Sequence, residues 1–118
     1  MSTRALSASV HGALEILAAP AIMAAPFLLD FGQAATVITV TLGALLLGLA
    51  LQVEGPRRAV PLSAHAGFDY ALAFVALIGG LAVGLATEEW AAGLFLVGVG
   101  VAQVALTAAT RFTVPRGA

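Results

Sequence analysis

Four long apolar runs, separated by short polar breaks, constrain the fold of this chain most strongly. They predict helices over residues 7–29, 33–52, 63–87 and 89–110. Each run is long enough to cross a lipid bilayer, because a spanning helix needs about 20 predominantly apolar residues. We therefore expect an all-α integral membrane protein, an up-down-up-down four-helix bundle that forms a single transmembrane domain over residues 1–118.

The composition agrees with a membrane location and excludes several other classes of protein. Hydrophobic residues make up 61% of the chain and charged residues only 9%, too few to cover a soluble domain. The net charge is −1 and no basic block is present, so we expect the lipid bilayer as a partner and no nucleic acid. Because cysteine is absent, the chain has no disulfides, thiolate nucleophiles or cysteine-based metal sites.

The breaks between the runs contain residues that end or begin helices. Residues 30–33, "DFGQ", predict a tight turn in which Gly32 takes the left-handed cap position. Residues 53–63 contain Gly55, Pro56 and Pro61, which terminate helices. Serines near the starts of the first and third runs are predicted N-caps: Ser7 or Ser9, and Ser63.

Charged residues are divided between the two ends of the predicted bundle. One end carries all the positive charge: Arg4, Arg57, Arg58, Arg111 and Arg116. The other end carries acids alone: Asp30, Glu88 and Glu89. Loops and termini that carry Arg or Lys next to a membrane span usually lie on the cytoplasmic side. We therefore predict a multi-pass inner-membrane protein with both termini cytoplasmic. Phe31 and Trp90 are then expected at the outer interface and Phe112 at the inner one.

A short pattern that ends in a carboxylate occurs twice, 54 residues apart. It reads "SVHGALE" at residues 9–15 and "SAHAGFD" at residues 63–69. With an offset of 55 the similarity continues, pairing Gly43 with Gly98 and Ala50 with Ala105. We predict two tandem helical hairpins, 7–52 and 63–110, related by an axis along the membrane normal.

A proline-containing tripeptide lies late in the first helix. The first hairpin reads "LEILAAPAIMAAPFLLDFG", in which residues 25–27 are "APF"; the matching residues 79–81 are "GGL". In this pattern the chain resembles the SPW-repeat family of small bacterial membrane proteins, with alanine for serine and phenylalanine for tryptophan. The resemblance implies paired two-helix units and carries no assigned chemistry.

Each copy of the pattern places a histidine and a carboxylate four residues apart, on one face of a helix. We predict that His11, Glu15, His65 and Asp69 line one shared polar cluster that is open to the cytoplasm, with Gln103 in reach. The cluster could satisfy polar groups and lock the first helix to the third. It could instead bind a divalent transition metal such as zinc, manganese or iron, ligate haem b through two histidines, or pass protons or cations.

Motifs of common enzyme classes are absent from the sequence. It contains no glycine-rich phosphate loop, no nucleophile elbow and no HExxH motif. We therefore predict a non-enzymatic protein of scaffolding or association type, with metal, proton or cation handling as the alternative. Small residues that let helices approach closely, Gly80, Gly84 and Gly98, suggest a homo-oligomer or a subunit of a larger complex.

Overall fold

The computed structural model describes residues 4–54 and 61–112 and is built from four long helices. The elements in chain order are β1 (Leu6–Ser7), α1 (Ala8–Leu28), α2 (Gln33–Glu54), α3 (Leu62–Thr87), α4 (Trp90–Ala108) and β2 (Thr110–Arg111). All four helices are long and apolar enough to cross a membrane, which fits a multi-pass membrane protein. Several predicted features lie outside the described residues: Gly55, Pro56, Arg57, Arg58 and Arg116.

The helices pack most closely as two pairs, α1 against α2 and α3 against α4. Contacts between α2 and α3 are fewer, and those between α1 and α4 fewer still. The buried core consists largely of alanine and leucine: Ala19, Ala35, Leu42, Leu46, Ala76 and Leu96. Small side chains let the helix backbones approach closely, which favours association within lipid, where burial of apolar surface provides no driving force.

The helix ends agree with the predicted breaks but differ in which residues form the caps. The Ser7 hydroxyl accepts a hydrogen bond from the Val10 N–H at 3.2 Å, which confirms Ser7 as the N-cap of α1. The prediction for Ser63 is wrong, because α3 already begins at Leu62 and its N-cap is Pro61, which makes no side-chain cap.

The turn after α1 uses Asp30, with a φ of 56°, as its left-handed residue, so the prediction for Gly32 is wrong. Aspartate tolerates this conformation better than most residues with a side chain. Gly32 has a different role, since its N–H donates to Oε1 of Glu89 at 2.6 Å. A Cβ at Gly32 would lie 2.7 Å from Oε2 of the same carboxylate. The contact joins the turn after α1 to the one after α3.

The opposite end of the bundle is closed by contacts between the two terminal segments. Strands β1 and β2 pair in parallel, and the Leu6 N–H donates to the Ala109 carbonyl at 3.0 Å. This pairing ends α4 at Ala108, two residues earlier than predicted. It also brings Arg4 and Arg111 to one end of the molecule, away from the turn that contains Glu89.

Buried positions in the second helix of each pair correspond at an offset of 57, not 55. Buried residues match in this way along α2 and α4: Ala35 with Ala92, Thr39 with Leu96, Gly43 with Gly100 and Ala50 with Thr107. The predicted pairing of Gly43 with Gly98 is wrong, because Gly98 is exposed. The offset grows because α3 has 26 residues and α1 only 21, while the turn after α3 is shorter.

The small residues of α3 serve packing inside the chain. A Cβ at Gly80 would lie 2.5 Å from the Gly93 carbonyl oxygen, and Gly84 lies against the ring of Trp90. Gly80 and Gly84 therefore give no support to the predicted association with another subunit, since α4 already covers them. Gly98, in contrast, is exposed, and apart from the adjacent part of its own helix no described atom lies within 4 Å of the position that a Cβ would take there.

Candidate metal centre

Both histidine–carboxylate pairs lie in one buried group of side chains, which we call the polar cluster. It consists of His11 and Glu15 from α1, His65 and Asp69 from α3, Gln103 from α4, and Thr110 from β2. None of these six residues exposes more than 7% of its surface. The structure thus brings together the four residues that the repeated pattern singles out.

The two histidines approach the same carboxylate. Nε2 of His11 lies 2.9 Å from Oδ2 of Asp69, and Nε2 of His65 lies 3.0 Å from the same oxygen. His11 Nε2 also contacts Oε1 of Glu15. One nitrogen or oxygen atom from each of the four residues falls within 4.8 Å of the others. Side chains from α1 and α3 therefore meet at a single point.

Thr110 holds the ring of His11 in place. Its hydroxyl donates to the Leu106 carbonyl at 2.6 Å, which leaves a lone pair to accept from Nδ1–H of His11 at 2.9 Å. With the proton on Nδ1, the other ring nitrogen is directed at the carboxylates. A partner of this kind fixes both the tautomer and the orientation of an imidazole.

Gln103 joins the two carboxylates, which agrees with the prediction that it lies within reach of the cluster. Its amide nitrogen donates to Oε1 of Glu15 and to Oδ1 of Asp69, each at 3.0 Å. Ionised carboxylates only accept hydrogen bonds, so the nitrogen side of the amide must face them. Both N–H groups of Gln103 are thereby used inside the polar cluster.

Phe112 closes the polar cluster at the end of the bundle. Its ring centroid lies 5.0 Å from that of His11 and 5.7 Å from that of His65, and the residue is 9% exposed. The prediction that the cluster is open is wrong, because its residues are buried. The place of Phe112 at the inner membrane interface stays a prediction. The pairing of β1 with β2 carries the chain after α4 back over the histidines.

Thr110 and Phe112 were not predicted as site residues. The sequence contains a pattern that could have identified Thr110 but none that could have identified Phe112. Thr110 follows Gln103 by seven residues, which is about two helical turns, so a common face could have been suspected. Phe112 lies beyond the helix, where no periodicity places it.

The polar cluster concentrates negative charge in a buried place. Glu15 and Asp69 share one donor, and buried carboxylates are costly unless positive charge compensates them. Four of the buried atoms make no aligned hydrogen bond despite their short separations: Nε2 of His11, Oε2 of Glu15, Nε2 of His65 and Oδ2 of Asp69. The group can accommodate a cation or protonated imidazoles.

Comparison with known proteins gives no match, since no family model, curated protein or solved structure is detectably similar to the chain. The chemistry of the polar cluster therefore has to be inferred from its own residues.

Proposed function

We propose that this chain is a small multi-pass membrane protein that binds one divalent transition-metal ion through His11, Glu15, His65 and Asp69. The observation that carries the proposal is the convergence of four nitrogen and oxygen atoms, all buried, within 4.8 Å. Two neutral imidazoles and two carboxylates would balance a charge of +2. Imidazole and carboxylate ligands without thiolates suit zinc, manganese or ferrous iron.

The residues around the four candidate ligands support a metal centre. Metal-bound histidines commonly donate their second ring N–H to an oxygen, as His11 does to Thr110. Ligating carboxylates are commonly hydrogen-bonded in turn, as Glu15 and Asp69 are by Gln103. These contacts pre-orient the ligands, and pre-orientation reduces the cost of binding.

The geometry favours an ion over haem b. The carboxylate of Asp69 lies next to Nε2 of both histidines, so it occupies the space where a porphyrin ligated by those nitrogens would have to fit. A metal ion needs no such space, because the carboxylate itself can be a ligand.

The role that we propose for the ion is to hold the bundle together, without catalysis. His11 and Glu15 belong to the first hairpin and His65 and Asp69 to the second, so an ion would join the two units. We further propose that the hairpins arose by duplication, cross an inner membrane up-down-up-down, and keep both termini in the cytoplasm. Membership of the SPW-repeat family and assembly into a homo-oligomer or larger complex stay predictions.

Elemental analysis of protein purified in mild detergent tests the metal centre. After incubation with Zn²⁺, Mn²⁺ or Fe²⁺ and removal of excess ion, we expect about one ion per chain for at least one metal. His65→Ala and Asp69→Asn should lose it. Glu88→Gln, which alters an exposed carboxylate at the far end, should retain it.

Two results would overturn the proposal. One is wild-type protein that retains none of the three metals, and the other is equal retention by the ligand variants. An absorption spectrum with a Soret band would assign haem instead.

A further inference from the structure

An apolar groove runs between α1 and α4, where these helices make few contacts. Its volume is about 460 Å³, within the range of small-molecule sites, and it opens to the side of the bundle. Ala18 and Ile22 line it from α1, and Leu94, Phe95 and Ala102 from α4. In a membrane-spanning bundle such an opening faces the lipid, so its occupant must be soluble there.

Gln103 is the one residue with a polar side chain among the described residues that line this groove. The residue is only 7% exposed, and its amide nitrogen is turned toward Glu15 and Asp69. Its carbonyl oxygen makes no hydrogen bond to any of residues 4–54 or 61–112. A carbonyl oxygen without a donor is unfavourable beside an apolar groove, so Gln103 offers an unused acceptor to the groove that it lines.

A second groove, between α2 and α3, provides an internal comparison. Its volume is about 270 Å³, and it is lined by Val37, Ile38, Thr41 and Leu72, among others. At the offset of 57, Thr41 stands where the first groove has Gly98, and Leu46 stands where it has Gln103. The two grooves therefore correspond in position, but the α1–α4 groove is larger and alone of the two has the amide.

We propose that the α1–α4 groove binds a lipid-soluble molecule that carries a hydroxyl group, such as a long-chain alcohol or a phenol. The apolar walls would hold its body, and its O–H would donate to the carbonyl oxygen of Gln103. A donor is needed because both N–H groups of Gln103 are already engaged. The inference goes beyond the metal centre and does not depend on it.

Photolabelling in liposomes tests this site. A dodecanol that carries a diazirine in its chain is added to the reconstituted protein, and labelled residues are mapped by mass spectrometry. We expect more label in the α1–α4 groove than in the α2–α3 groove. Unlabelled dodecanol should compete about three- to tenfold better than its methyl ether, the effect of one net hydrogen bond.

Matched variants distinguish binding in the α1–α4 groove from non-specific labelling of the surface that faces the lipid. Gly98 lines the α1–α4 groove, and an added Cβ would meet no described atom within 4 Å outside the adjacent part of α4, so Gly98→Leu should fill the groove and remove its label. Gly48→Leu, at an equally open glycine outside the groove, should not. Gln103→Leu should abolish the preference for the alcohol over the ether.

Four results would overturn the inference, and three of them come from the labelling: equal labelling of the two grooves, unchanged labelling in Gly98→Leu, and equal competition by alcohol and ether. A fourth is a wild-type dimer that Gly98→Leu converts to a monomer, since a second chain would then cover the groove. The metal content of Gly98→Leu, measured separately, should stay at the wild-type value, so that failure here is distinguishable from failure of the metal centre.

Discussion

At the scale of single residues, three buried threonines show that the position of a hydroxyl group determines whether it makes hydrogen bonds. Thr110 uses its hydroxyl twice, toward Leu106 and toward His11. Thr39 and Thr107 are buried to the same extent, but their hydroxyls have no hydrogen-bond partner among the described residues. The difference makes Thr110 a positioning residue for the proposed metal centre, because it orients a ligand without being one.

Replacing Thr110 by valine should weaken metal binding without abolishing it. Thr110→Val keeps the shape of the side chain but removes the acceptor for Nδ1–H of His11. Loss of such a partner typically lowers metal affinity by about 10- to 100-fold. Competition with a chelator should show this decrease, while elemental analysis at saturating metal shows an unchanged stoichiometry.

Thr39→Val is the matched control, since it removes an equally buried hydroxyl that has no partner among the residues described. Its metal affinity should equal that of the wild type. If the two valine variants bind metal equally well, Thr110 does not position His11.

At the scale of elements, the contact between α3 and α4 depends on glycines that bring two backbones together. Gly80 faces the Gly93 carbonyl, and Gly100 lies against the Ala73 carbonyl. The corresponding contact in the other pair is made by Gly43, whose added Cβ would lie 3.2 Å from the Ala19 carbonyl oxygen. Since carbonyl groups in a helix cannot move aside, a methyl group here must separate the helices.

Adjacent glycines of α3 should respond in opposite ways to alanine. Gly80→Ala should lower the free energy of unfolding by about 1–3 kcal/mol, the usual cost of overpacking. Gly79→Ala places its Cβ at an ordinary 3.6 Å from Cγ2 of Ile38, so stability should be unchanged or slightly higher. Thermal unfolding in detergent compares them, and a more stable Gly80→Ala would contradict the assigned packing.

At the scale of the whole molecule, the two helix pairs share the apolar core and are also joined by polar contacts at both ends. The polar cluster and the pairing of β1 with β2 join them at the end that carries Arg4 and Arg111. The hydrogen bond from Gly32 to Glu89 joins them at the acidic end. This separation of charge underlies the predicted orientation in the membrane.

Single cysteines should report that orientation clearly, because the chain has none of its own. Cysteines at Gln33 and Glu88 should react with an impermeant thiol reagent added to intact cells. Cysteines at Arg57 and Arg116 should react only after lysis, since positively charged segments stay in the cytoplasm. The reverse pattern would show that the arginines do not set the orientation.

The sequence by itself determined the number of helices and, to within about two residues at most ends, their limits. Whether a run of residues can span a bilayer depends on its own length and apolarity, which are local properties. The histidine–carboxylate pairs could also be identified from the sequence, because a spacing of four residues places two side chains on one helical face. Their occurrence in both halves of the chain predicted that they meet.

Only the tertiary structure decided what surrounds those pairs and which helix each glycine faces. The bond between His11 and Thr110 joins residues 99 positions apart, and Phe112 reaches the histidines through the pairing of the terminal segments. Likewise, Gly80 could be assigned to internal packing only once α4 was seen to cover it. A helix presents small residues in the same way to any neighbour, so the choice of neighbour depends on the packing of the whole bundle.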